Sequence, residues 1–108
     1  MKLHKYKQEA VAYYLDVNRW DNRIVNGNIY RVRVEEIESE YPNSEFQQLT
    51  VRIIGSRDRF TTYNCMLYKT KEDANDALYI ELERTRKYAS DMLDRVRLAE
   101  RELQKVAT

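Results

Sequence analysis

The side chains that most often carry catalysis are scarce in this sequence. His4 is the only histidine, and no serine or acidic residue is spaced around it in a way that predicts a catalytic triad. Cys65 is the only cysteine, and its place in a predicted strand indicates a buried, unreactive thiol. We therefore predict that the protein is not an enzyme.

Ligands for a metal ion or a phosphate group are equally scarce. One histidine and one cysteine are too few for a zinc site. Gly27 and Gly55 are the only glycines, so no glycine-rich loop can surround a phosphate group. Four carboxylates could bind a hard cation or exchange protons, but the solvated end of a strand explains them better: Glu35, Glu36, Glu38 and Glu40. We expect no metal and no cofactor.

The size and charge of the chain exclude several classes of protein. Its 108 residues predict a single domain over 1–108, large enough to bury a core without metal or disulfides. The net charge of +1 argues against a strongly basic protein that coats DNA. The single cysteine favours a reducing compartment, and neither a membrane span nor a signal peptide is evident. We therefore expect a cytoplasmic protein.

The longest element that the sequence predicts is a C-terminal helix over 71–106. Thr70 is followed three residues later by Asp73, which resembles a capping box, and Lys105 carries positive charge near the far end. No glycine or proline interrupts this span. At 1.5 Å per residue, the helix would be about 54 Å long.

The apolar residues of that helix alternate at spacings of four and three, which is a heptad repeat. In its second half the repeat predicts a coiled coil or dimer contact through Ala89, Met92, Val96, Ala99, Leu103 and Val106. In a parallel pair, Glu81 would face Arg86 of the other chain and Arg95 would face Glu100, each with opposite charge. The alternative is that an N-terminal helix of the same chain covers this face.

The rest of the chain predicts a helix followed by three strands. Apolar residues recur at helical spacing over 3–18, and Asn26-Gly27 is the strongest hairpin signal. Alternating patterns follow from Ile29 and from Leu49, with turns at Pro42-Asn43 and at Gly55. A third strand, Phe60 to Lys69, has large apolar residues on both faces, which suits a strand that is covered on both sides or one at a contact. The predicted fold class is α+β: an N-terminal helix, a three-stranded antiparallel meander and a long C-terminal helix (αβββα).

One face of the predicted sheet carries several arginines. Arg31, Arg33 and Arg52 alternate with apolar residues, and Arg57 and Arg59 lie in the adjoining turn. With aromatic residues nearby, such a face could hold a nucleic-acid strand or another partner. The ordinary polar face of a half-exposed sheet is the alternative explanation.

The predicted order of elements, together with Thr70-Lys71-Glu72-Asp73-Ala74, resembles double-stranded-RNA-binding domains. It also resembles the three-stranded DNA-binding domains of phage-type integrases. At the start of this helix, however, the chain has acidic residues where those RNA-binding domains have glycines and a basic cluster. The resemblance therefore assigns no family.

These observations favour a non-enzymatic, protein-binding or regulatory module that acts as a homodimer with an unknown protein partner. A small inhibitor or adaptor of the kind that phages encode fits this description. The alternative is a nucleic-acid-binding accessory protein that uses the arginine-bearing face of the sheet.

Overall fold

The computed structural model describes residues 3–40 and 42–107, with side chains described up to Lys105. An antiparallel sheet is followed by one long helix. The elements are β1 (Val11–Trp20), β2 (Arg23–Glu40), β3 (Gln47–Ile53), β4 (Arg59–Tyr63), a short 3-10 helix (Asn64–Met66), β5 (Leu67–Tyr68) and α1 (Lys71–Ala107). The strand order in the sheet is β4-β3-β2-β1-β5.

The predicted N-terminal helix is wrong. The chain from residue 3 to residue 10 has no regular secondary structure, and β1 occupies all of the remaining predicted span. The sequence of β1 is rich in valine and tyrosine, which favour strands, and β1 pairs with β2 on one side and β5 on the other. A short helix in this position would need another element to dock against, whereas the strand gains hydrogen bonds along its length.

The first hairpin turns at Asp21-Asn22, not at Asn26-Gly27. Trp20 pairs with Arg23, and both residues between them have positive φ, 51° for Asp21 and 60° for Asn22. This backbone fits the twist of a two-residue hairpin, and aspartate and asparagine tolerate it better than most residues. Asn26-Gly27 therefore lies inside β2, where Gly27 pairs with Val17 of β1.

The predicted three-stranded meander is also wrong, because the sheet has five strands. The predicted alternation of inward and outward side chains is nevertheless correct in the middle of the sheet. The inward residues there are fully buried: Val32, Val34, Leu49 and Val51. The register of β2 with β3 shifts between Val34 and Glu36. The third predicted strand divides into β4, a 3-10 turn and β5, and β5 pairs with β1 at the opposite edge of the sheet.

The sheet curls around its core. The rings of Tyr14 in β1 and Phe60 in β4 lie 4.6 Å apart, although two strands separate them. Tyr6, from the N-terminal segment, is buried against this concave face. Its hydroxyl has no hydrogen-bond partner among the described residues, and burial together with nearby Asp73 raises the pKa of Tyr6 to about 12. The core cluster consists of Tyr6, Ala12, Val32, Val34, Leu49, Val51 and Leu67.

Two buried amides hold the N-terminal segment in place. Tyr6 N–H donates to Gln47 Oε1 at 2.7 Å, and Gln47 Nε2 donates to the Tyr6 carbonyl at 3.0 Å. Asn64 Oδ1 accepts from Gln47 N–H at 2.9 Å, while Asn64 Nδ2 donates to the carbonyls of His4 and Glu45. These bonds fix His4 and Tyr6 against β3 and the 3-10 turn, and backbone hydrogen bonds join Glu9 and Ala10 to Val34 of β2.

Helix α1 packs on the opposite face of the sheet from this core. Asp73 N–H donates to Thr70 Oγ1 at 3.0 Å, which is the predicted cap at the start of the helix. Leu78 lies so close to Gly27 that a Cβ built on this glycine would be 2.9 Å from Leu78 Cδ1. A glycine in β2 therefore lets the helix approach the sheet. The helix is 37 residues long, and the molecule measures 69 × 34 × 21 Å.

Candidate interaction surface on the C-terminal helix

The second half of α1 extends beyond the sheet. Every residue from Ala89 to Lys105 is exposed, and we call these 17 residues the arm. At 1.5 Å per residue the arm is about 25 Å long. An isolated helix of this length is marginal in water, so an uncovered arm would gain little stability of its own.

The predicted heptad seam continues without a break from the sheet into the arm. Its first members, Leu78, Leu82 and Thr85, are half-buried. Its later members are exposed: Ala89, Met92, Val96, Ala99 and Leu103. Val106 belongs to the helix, but its side chain lies outside the described residues. One apolar stripe therefore packs on the sheet at its start and has no cover among the described residues farther along.

The tip of the β1–β2 hairpin holds the helix where the arm begins. Thr85 Oγ1 donates to the Ile24 carbonyl at 2.6 Å, and Tyr88 Oη donates to Asp21 Oδ2 at 3.0 Å. The Arg23 guanidinium lies 4.3 Å from the centre of the Tyr88 ring. The hydrogen bond to Asp21 and its negative charge raise the pKa of Tyr88. These contacts fix the direction in which the arm leaves the sheet.

A cavity of about 440 Å³ opens between the hairpin tip and the root of the arm. Trp20 and Val25 line it from the hairpin, and Met92, Leu93 and Val96 line it from the helix. Trp20 is 70 % exposed, an unusual state for a tryptophan of a folded domain. The apolar surface is therefore larger than the helical stripe alone and includes the hairpin tip.

The sequence does not predict the hairpin side of this surface, because its strongest hairpin signal lies at Asn26-Gly27. If the chain turned at Asn26-Gly27, Trp20 and Val25 would both precede the turn and would not lie on the two strands of one hairpin tip. The Asp21-Asn22 pair was the available signal, because both residues accept positive φ.

The predicted arginine face is present, with ion pairs across it. Arg33 pairs in register with Arg52, and Arg52 with Arg59, so three arginines form a row across β2, β3 and β4. Glu35 forms ion pairs with both Arg52 and Arg59. Its Oε2 lies 3.0 Å from Arg59 Nε. The hydrogen bond from Arg52 is the main reason that the pKa of Glu35 is lowered.

The remaining arginines of the predicted face differ in their surroundings. Arg33 lies 3.8 Å from Glu9, and both side chains are more than half exposed. Arg31 and Arg57 are exposed. The predicted face therefore combines a row of three arginines that lie near carboxylates with two exposed arginines outside that row.

The single cysteine and the side chains capable of binding a metal give two further results for the described residues. Cys65 is exposed in the 3-10 turn, so the predicted buried thiol is wrong, because the third predicted strand is interrupted there. No group of three or more histidine, cysteine or acidic side chains among the described residues could hold a metal ion. Among those residues, no helix has the length and apolar character needed to cross a membrane.

Comparisons with protein families, with curated proteins and with solved structures found no match to this chain. The resemblance to RNA-binding domains and integrase domains depended on an αβββα order, which the chain does not have.

Proposed function

We propose that the protein is a non-enzymatic binding module that acts as a homodimer through the arm of α1. A regulatory role towards a further protein partner, as in a small phage-type inhibitor or adaptor, is part of this proposal, and so is a cytoplasmic location. The single observation that carries it is the seam: the stripe that packs on the sheet at Leu78 continues over the exposed arm to Leu103.

The position of the N-terminal segment supports pairing between chains. The alternative cover for the arm was an N-terminal helix of the same chain. This segment is instead bonded to the sheet and the 3-10 turn, through Gln47 of β3, Asn64 of the turn and Val34 of β2. This leaves the stripe without an intramolecular cover among the described residues, and a second copy carries a stripe of the same apolar character.

Nucleic-acid binding by the arginine face remains the second proposal, and it has less support. The row places Arg33, Arg52 and Arg59 on three adjacent strands, and arginine is a common donor to phosphate groups. However, Glu35 lies between Arg52 and Arg59 and neutralises part of their charge. A phosphate backbone would have to displace these ion pairs.

Light scattering on the wild-type chain, at tens of micromolar, tests the dimer. We expect the mass of two chains for the wild type and of one chain for Leu103→Asp. A charge in the apolar seam of a dimer costs several kcal/mol, whereas in a monomer Leu103 is 70 % exposed and the substitution costs little.

Leu98→Asp is the matched control. Leu98 lies on the same arm and is 58 % exposed, but it is on the opposite side of the helix from the seam. We expect this variant to remain dimeric. A wild-type mass of one chain, or equal loss of the dimer in both variants, would contradict the proposal.

A further inference from the structure

We propose that the second copy binds antiparallel, so that the tip of its arm fills the cavity at the hairpin tip of the first. This inference rests on the proposed dimer and adds its orientation and register. In the register that we infer, Val96 lies against Ala99 of the second copy, and Met92 lies against Leu103 of the second copy. The two-fold axis repeats both contacts.

The hairpin tip argues against the parallel orientation. Thr85 and Tyr88 bond the tip on the seam side of the helix, immediately before the arm. Packed helices approach to about 8–10 Å between axes. In a parallel pair, the two hairpin tips would meet at the same level and hold the helices apart at Ala89 and Met92. In the antiparallel pair, each tip lies beside the far end of the other arm.

The apolar surfaces also match best in the antiparallel orientation. Leu103 of the second copy comes level with Met92, where Trp20 and Val25 line the cavity. The exposed leucine of one chain thus enters the apolar cavity of the other, and this happens at both ends of the dimer. A parallel pair would leave both cavities open beside Trp20, which is costly for an apolar surface of this size.

Charges along the seam agree with this register. Arg95 comes beside Glu102 of the second copy, and the symmetry makes two such pairs. In the structure Glu102 lies 3.7 Å from Lys105 of its own helix, a longer ion pair than those that Glu81 and Arg86 make.

The charge pairs of the parallel orientation are less available. Glu81 already binds Arg84 at 2.6 Å, and Arg86 binds Glu83 at 3.2 Å. Both Glu81 and Arg86 also belong to the part of the helix that packs on its own sheet. Only the Arg95–Glu100 pair of the parallel orientation would remain.

Disulfide cross-linking between single-cysteine variants tests the orientation. Met92→Cys and Leu103→Cys are made separately in a Cys65→Ser background and oxidised alone and as an equimolar mixture. Facing positions of packed helices come within reach of a disulfide. We expect cross-linked dimer in the mixture and little in either variant alone. Asp94→Cys, on the outer side of the arm, is the control for random collisions.

The outcomes separate this inference from the proposed function. Self-cross-linking of either variant would show a parallel pair and overturn the orientation while the dimer stands. A dimer by light scattering without cross-linking in the mixture above the Asp94→Cys control would also overturn the orientation. A wild-type monomer at tens of micromolar would overturn both proposals.

Trp20 gives a second readout that needs no cysteine. It is the only tryptophan, so its fluorescence reports the cavity directly. We expect its emission maximum to shift to shorter wavelength as the wild-type protein is concentrated into the dimer, and to stay unshifted in Leu103→Asp. An unshifted maximum in a dimeric wild type would overturn the occupation of the cavity.

Discussion

At the scale of the residue, buried amides decide the course of the N-terminal segment. Asn64 accepts one backbone hydrogen bond and donates two, to carbonyls that lie 60 and 19 residues away in sequence. Gln47 makes a two-way bond to Tyr6 from β3. A buried polar group without a hydrogen-bond partner is costly, so the two amides favour the one path of the N-terminal segment that satisfies them.

Asn64→Ala should therefore lower the free energy of unfolding by about 2–4 kcal/mol, because the Gln47 N–H and two carbonyls lose their partner in a buried site. Urea denaturation measures this loss. Asn75→Ala is the control, since Asn75 is exposed on the helix and should change the midpoint little. Equal midpoints for Asn64→Ala and the wild type would show that the three bonds contribute nothing.

At the scale of the element, the packing of α1 on the sheet depends on a close approach at one glycine. Gly27 faces the helix between Leu15 and Leu78, and a side chain at this position would meet Leu78 first. The helix continues beyond this contact to the hairpin tip, where Thr85 and Tyr88 hold it. Two separate contacts, one apolar and one polar, thus set the angle of the helix.

Gly27→Val should destabilise the fold by about 1–3 kcal/mol, because the added side chain overpacks the contact with Leu78. Truncating the opposing side chain tests the cause. In the double variant Gly27→Val with Leu78→Ala, the combined loss should be smaller than the sum of the two single losses. Additive losses in urea denaturation would indicate that Gly27 acts in some other way.

At the scale of the whole molecule, the shape is a sheet with a projecting helix. The long dimension of 69 Å is about twice the next one, 34 Å. The arm makes up much of this length and shares no core with the sheet. Its order in solution therefore depends on what covers its apolar stripe.

Hydrogen exchange should divide α1 into two parts in the monomeric variant Leu103→Asp. Amides of residues 92–104 should exchange roughly tenfold or more faster than amides of residues 74–85, because only the latter pack on the sheet. In the wild type we expect the arm to gain protection as concentration rises. Uniform protection along the whole helix in Leu103→Asp would contradict this division.

The sequence by itself determined the features that depend on neighbouring residues. The helix from Lys71 follows from the cap at Thr70 and from an unbroken span without glycine or proline. The alternation around Val32 and Leu49 follows from the period of a strand. The continuous seam of α1 follows in the same way from the period of a helix.

The tertiary structure alone decided how many strands pair and where the chain turns. The apolar spacing over 3–18 suits a helix as well as a strand, and the pairing of β1 with two neighbours settles it in favour of a strand. β5 is only two residues long and pairs with a strand more than 50 residues earlier, so no local pattern marks it. The cavity at Trp20 depends on that arrangement as well. It exists because the hairpin tip and the helix meet in space, a contact between residues more than 60 positions apart in the sequence.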